Sequence, residues 1–225
     1  VLKVFIQIER DDKRILSLLD DLTHQKISTL KVDKNKLDQL SNGETHQGVI
    51  SEIIMPTFPG EKILIESIKN SSKKPLVLIL DSIQDPRNLG ACLRSANAAG
   101  VDFVIINKDG SAPINSLVYK ASAGAINSLQ IFLVTNIVRT IKAIQKEGLW
   151  VIGLDGNATT TLYDVNLVDS TAIVMGSEGK GIRQLIKKTC DQLVTIPMSG
   201  NIESLNVSVA TGIALFESMR QRKTS

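Results

Sequence analysis

The 225 residues include 43% hydrophobic and 22% charged side chains with a formal net charge of +3, the make-up of an ordinary globular chain of one large or two small domains. No apolar run approaches the roughly 18 residues needed to span a bilayer, and residues 1–8 are too short and polar for a signal peptide, so a cytoplasmic, non-membrane protein is expected. A polycation is excluded too: residues 1–53, 54–75 and 76–225 carry −1, +2 and +2, so any nucleic acid would be held by local patches and shape.

In chain order, residues 4–8 read as a strand. Residues 13–22 place Ile15, Leu18, Leu19 and Leu22 at helical spacing. A short strand at 29–32, a helix at 34–40 and a strand at 48–54 complete a βαβαβ unit over residues 1–54. That unit contains no catalytic constellation. His46 sits in a turn leading into its last strand and reads as a turn or surface histidine, with an RNA contact as the alternative. Met55-Pro56-Thr57-Phe58-Pro59-Gly60 holds two prolines and a glycine, marking residues 55–75 as a linker that carries a short helix at 61–68.

The main domain, residues 76–225, opens on Leu76-Val77-Leu78-Ile79-Leu80, a continuous apolar run of the kind buried in parallel sheets. Similar runs recur at 103–106, 129–134, 150–154, 172–175 and 193–196. Helical stretches lie between several of them, at 89–99, 116–125, 137–146, 182–188 and 207–220. The alternation predicts a doubly wound α/β parallel sheet, in which ligands bind beyond the carboxyl ends of the strands.

Three polar junctions fall at those ends. The first is Asp85-Pro86-Arg87-Asn88-Leu89-Gly90, running on to Arg94. Asn88 reads either as a helix N-cap or as a site residue. Arg94 falls about 140° from Leu89 around the helix, off the core stripe, so periodicity alone makes it a solvated arginine. The second is Met175-Gly176-Ser177-Glu178-Gly179-Lys180-Gly181. Its glycines match neither a dinucleotide fingerprint nor a P-loop, and Glu178 would repel a phosphate. A phosphate-cradling loop or a plain helix start are the readings without chemistry. The third is Ser204-Leu205-Asn206-Val207-Ser208, just before an apolar helix, with Ser204 either its N-cap or a site residue. That helix is apolar on most faces and needs cover on two sides, for which a subunit interface is one source. Two cysteines without CxxC or histidine spacing argue against a metal site and for reduced thiols.

Taken together, the junctions resemble the three motifs of the SpoU (TrmH-like) branch of the SPOUT RNA methyltransferases. The likeness rests on Asp85, Pro86, Asn88, Gly90 and Arg94, on Met175 to Gly179, and on Ile196-Pro197-Met198 with Ser204 to Ala210. It covers residues 76–225, and the small N-terminal unit resembles the L30e-like substrate-binding domain that accompanies this catalytic domain. The chain starts about one strand and one helix later than such proteins usually do, so part of the RNA-binding domain is expected to be missing.

The resemblance implies a C-terminal trefoil knot, S-adenosylmethionine as methyl donor, and a homodimer. It implies a ribose 2′-hydroxyl of RNA as acceptor, with a guanosine of large-subunit ribosomal RNA as the substrate. It maps cofactor binding onto Gly176, Ile196 and Leu205, largely through backbone groups. It maps catalysis onto Asn88, Arg94, Glu178, Ser204 and Asn206. Because arginine resists deprotonation, Arg94 is expected to stabilise alkoxide charge and hold the adjacent phosphate, while the other four orient it, the ribose and the cofactor. A transfer-RNA ribose methyltransferase and a non-catalytic RNA-binding module of the same fold are the competing readings. A Rossmann oxidoreductase is disfavoured by the glycine order.

Overall fold

A computed structural model describes residues 1–8 and 10–224. The chain divides into two compact units, Val1–Thr57 and Phe58–Ser225.

The first unit runs β1 (Lys3–Gln7), α1 (Lys13–His24), β2 (Ser28–Val32), α2 (Lys34–Leu40) and β3 (Val49–Glu52). Its sheet has the order β2-β1-β3, with β1 parallel to β2 and antiparallel to β3. Val4 and Ile6 of β1 pack with Ile15 and Leu22 of α1. Aspartates cap both helices: Asp12 accepts from the amides of Arg14 and Ile15, and Asp33 from that of Lys36. His46 braces a turn. One ring nitrogen, Nδ1, accepts from the Gly48 amide at 3.0 Å, which leaves Nε2 to face Asp38 at 3.0 Å.

The second unit begins with α3 (Glu61–Lys69) and β4 (Leu76–Leu80), followed by α4 (Pro86–Ala98) and β5 (Phe103–Asn107). Then come α5 (Ser116–Ala121), β6 (Gln130–Val134), α6 (Ile137–Lys146), β7 (Trp150–Leu154) and β8 (Thr171–Met175). The unit ends with α7 (Gln184–Lys187), β9 (Gln192–Val194) and α8 (Val207–Thr224). All six strands are parallel, in the order β6-β5-β4-β8-β7-β9. The apolar runs become the central strands: β4, β5 and β8 are buried at every position. α4 and α8 cover one face, with Leu89, Leu93, Ala214 and Leu215 in the core. α3 and α6 cover the other through Leu64, Ile68, Ile137 and Ile141.

Two expectations change. Segment 55–75, read as a linker, is in large part a packed element. Leu64 and Ile68 of α3 are buried, and Glu61 accepts from Arg139 Nε and Thr140 Oγ1 on α6. The helix expected at 116–125 stops at Ala121, because Ala123 and Gly124 take positive φ before a short 3-10 turn, Ala125–Asn127. The apolar helix α8 buries only one stripe; Val209 and Phe216 on its other side are 50% and 44% exposed.

Strand order reverses beside β4: the chain adds β5 and β6 on one side, then returns to place β8 on the other. Such a switch opens a crevice at the carboxyl ends of the two strands. Leu80 of β4 is in register with Met175 of β8, and the Asp81 amide donates to the Met175 carbonyl at 2.8 Å. The first two polar junctions therefore leave the sheet side by side.

Candidate active site

Each junction is shaped by its own sequence. At the first, Pro86 occupies the first turn of α4, and Asp85, not Asn88, is the cap. Its carboxylate accepts from the amides of Arg87 at 2.6 Å and Asn88 at 3.2 Å. Asn88 lies inside the helix, with its side-chain amide free for other work.

At the second, Gly176 follows β8 directly. A Cβ there would collide with the backbone of Gly181 and Ile182, so only glycine lets the loop fold back on itself. Ser177 and Gly181 then exchange two backbone hydrogen bonds, at 3.1 and 2.9 Å. The turn holds Glu178 outward. It is a self-paired turn rather than a helix start: α7 begins only at Gln184, because Arg183 is extended and drawn to Asp81.

At the third, the cap of α8 is Asn206, and Ser204, two residues earlier, is not a cap. Asn206 Oδ1 accepts from the Ser208 amide at 3.0 Å and the Ser208 hydroxyl at 2.6 Å. Ser204 has no side-chain hydrogen bond among the described residues and lines a cavity instead.

The three junctions meet. Asn88 Nδ2 donates to Glu178 Oε2 at 3.0 Å, and Asn206 Nδ2 donates to Glu178 Oε1 at 3.1 Å. Asn206 Nδ2 also reaches Asn88 Oδ1 at 3.1 Å. An ionised carboxylate only accepts, so both asparagine amides are turned with their nitrogens toward it. The capping role of Asn206 demands the same orientation.

Beside this cluster lies a cavity of about 690 Å³. Gly176, Ile196, Leu205, Ser204 and Glu178 all line it. The backbone amides of Ile196 and Leu205 make no hydrogen bond among the described residues. Unpaired donors on a cavity wall are the groups a ligand would satisfy.

Arg94 stands apart. It is exposed, does not line this cavity, and forms no hydrogen bond or ion pair among the described residues. It sits six residues after Asn88, about 9 Å along α4 and roughly 120° around it.

Sequence reasoning missed two carboxylates. Asp81, fully buried, follows β4 and pairs with Arg183 at 2.6 Å. Asp155 follows β7, lines the cavity and pairs with Lys187. Burial pushes the Asp155 carboxyl up, but the Lys187 ammonium and the Asn157 amide together pull it below its ordinary value. An acid immediately after an apolar strand was the available signal in both cases. The two thiols are pushed the other way, chiefly by burial, Cys92 to about 11 and Cys190 to about 12, so neither is a ready nucleophile.

Comparison with known proteins agrees with this geometry. Residues 75–216 match the SpoU rRNA Methylase family, and residues 1–59 match the family described as RNA 2'-O ribose methyltransferase substrate binding. A 23S rRNA (guanosine-2'-O-)-methyltransferase RlmB from Haemophilus ducreyi is 47% identical over 223 residues, 99% of this chain and 90% of that protein. The Escherichia coli protein of the same name is 44% identical over 220 residues, 98% and 90% of the two chains. Among solved structures, the SpoU methyltransferase AviRb from Streptomyces viridochromogenes, in complex with AdoMet, superposes with a TM-score of 0.80 at 22% identity. That match covers 100% of this chain and 84% of AviRb. A TrmH-family RNA methyltransferase from Porphyromonas gingivalis gives 0.75 at 27% identity, over 100% and 83% of the two chains. The chain belongs to the SpoU rRNA methylase family.

Proposed function

We propose that this protein transfers the methyl group of S-adenosylmethionine to a ribose 2′-hydroxyl of RNA, on a guanosine of large-subunit ribosomal RNA, as a cytoplasmic homodimer. The single observation that carries the reading is the hydrogen-bonded cluster of Asn88, Glu178 and Asn206 at the mouth of a ligand-sized cavity. The relatives named for that reaction, similar over nearly their whole length, supply the substrate. Residues 1–54 would bind RNA, and residues 76–225, with a C-terminal trefoil knot, would carry catalysis.

The cavity fits the donor. Its volume lies within the roughly 300–1,000 Å³ of small-molecule sites. The unpaired amides of Ile196 and Leu205 would hold adenine by its ring nitrogens, and the loop after Gly176 would enclose the sugar. When bound, S-adenosylmethionine supplies an electrophilic methyl group on a sulfonium.

The chain's residues do the rest. Asn88 and Asn206 fix the Glu178 carboxylate, which faces the cavity where a positive sulfonium would lie. Ser204, without a side-chain hydrogen bond among the described residues, is free to bond the ribose. Methyl transfer needs the 2′-oxygen held in line at about 3 Å. As the hydroxyl loses its proton, Arg94 would stabilise the developing alkoxide and hold the next phosphate. Since Arg94 lies away from the cluster, we place it at the site of the second subunit, with the exposed Val209 and Phe216 of α8 at the dimer contact.

The test is incubation with methyl-tritiated S-adenosylmethionine and unmodified total RNA, followed by size fractionation. Base-resistant label in large ribosomal RNA is expected. Label in transfer RNA would change the substrate, and absence of label from all RNA would overturn the reading.

A further inference from the structure

A second cavity, of about 700 Å³, adjoins the first. Asn88 and Glu178 form part of its wall, so it opens beside the proposed site of methyl transfer. Its floor is apolar, from Ile83, Ile182 and Val207, all nearly inaccessible to solvent. Arg183 stands at its side, and its guanidinium is fixed with unusual care. Nε donates to Asp81 Oδ2 at 3.1 Å and Nη2 to Asp81 Oδ1 at 2.6 Å. The carboxylate is 0% exposed, while the arginine side chain is 55% exposed. Ser82 adopts a left-handed conformation, φ 61°, and its hydroxyl donates to Asp81 Oδ1 at 3.0 Å. A strained serine and a buried acid thus hold one arginine in a single pose.

That pose spends the side edge of the guanidinium and leaves its end. Nη1 makes no hydrogen bond among the described residues. The Nη1–Nη2 end is a planar two-donor fork, which matches two adjacent acceptors. The O6 and N7 atoms of guanine form such a pair and are the acceptors most often read by arginine. A phosphate would also match the fork, and Lys180 and Lys187 on the same wall offset Asp85 and Glu178, so the choice between the two rests on the floor and not on charge. An apolar floor suits a flat base lifted out of its stack.

We propose that Arg183, positioned by Asp81, reads the O6/N7 edge of the target guanine. This rests on the function proposed above.

The nucleotide carrying the tritium label is mapped first. RNA fragments are then made with guanosine or 7-deazaguanosine at that position; the second lacks only the N7 acceptor. The wild-type protein is expected to lose roughly 2- to 13-fold in kcat/KM on the 7-deaza fragment, the size of one hydrogen bond of the two. Arg183→Gln is expected to lose at least that factor on guanosine and no longer to distinguish the two fragments. Equal wild-type rates on both fragments, or full discrimination retained by Arg183→Gln, would overturn the inference. The wild-type comparison needs no variant to fold. Failure to label any ribosomal guanosine would instead remove the function on which it rests.

Discussion

Asn88 and Glu178 are 90 residues apart in sequence and hydrogen-bonded at 3.0 Å. The contact exists because β4 and β8 are neighbours in register, so the turns that leave them start side by side. Asn206 joins from the N-terminus of α8 and closes the cluster. Three segments remote in sequence thereby hold one carboxylate at the edge of one cavity.

Asn88→Ala removes a donor to Glu178 and an acceptor for Asn206 but no helix cap, since Asp85 does that work. The expected outcome is a fall in turnover of about 10²-fold, typical of a misplaced reacting group, with little change in melting temperature. Single-turnover methylation and thermal denaturation check it. Near-normal turnover would refute the site assignment.

Asn206 has two duties, and Asn206→Asp separates them. The aspartate keeps an oxygen for the Ser208 amide, so the cap survives. It cannot donate to Asn88 or Glu178, and it sets a second carboxylate against the first. A loss of turnover larger than that of Asn88→Ala is expected, with α8 intact by circular dichroism. Asn206→Ala would in addition lose about 1 kcal/mol of stability with the cap.

Gly176→Ala and Gly179→Ala test the loop itself. At 176 the methyl group would meet the backbone of Gly181 and Ile182, which cannot swing away as a side chain can. A cost of about 1–3 kcal/mol from overpacking is expected, together with loss of cofactor affinity by calorimetry. At 179 nothing lies within 4 Å, and only the left-handed φ of 78° is strained. That variant should lose about 1 kcal/mol and keep the cofactor.

Much of this arrangement was legible in the sequence. The apolar runs beginning at Leu76 and Trp150 became strands at the expected residues, because a continuous run has little choice in a parallel sheet. The positions expected to hold the cofactor, Gly176, Ile196 and Leu205, came to one cavity. Whether Asn88 and Ser204 cap their helices was left open by the sequence, for a local reason: both are good caps in isolation, but Asp85 before Pro86 and Asn206 before Ser208 take those places. Arg183 was not legible at all. Its role depends on Asp81, 102 residues away, and no spacing rule links the two.

Acid should unfold the protein through particular carboxylates. The Arg220 guanidinium beside Glu217 holds its carboxyl below the ordinary value, with burial opposing and Gln221 assisting. In Asp155, burial is outweighed by Lys187 and Asn157. A depressed folded value contributes stability that is fully present above the unfolded value, and it is lost as pH falls through the folded one. With ordinary values of 3.8 for Asp155 and 4.5 for Glu217, the melting temperature should hold from neutral pH down to about 5 and then drop. Lys187→Met should lower the plateau and make the acid fall shallower, as scanning calorimetry across pH would show.

Arg94→Ala should abolish transfer while leaving cofactor binding untouched, because Arg94 lines no part of the cavity proposed to hold the cofactor. Its separation from the cluster sharpens the expectation. If each site takes Arg94 from the other subunit, a mixed dimer of Arg94→Ala with Asn88→Ala has one site carrying both lesions and one carrying neither. Co-expression of the two inactive variants with different tags, and purification through both, should then recover about half the wild-type activity per dimer. If Arg94 served its own chain, every site in the mixed dimer would hold one lesion, and the preparation would be as inactive as its parents. Recovery therefore decides where Arg94 acts, and the exposed face of α8, with Val209 and Phe216, is the surface we propose for the contact between the two copies. Val209→Glu with Phe216→Glu should dissociate that dimer in sedimentation and remove activity with Arg94 still in place.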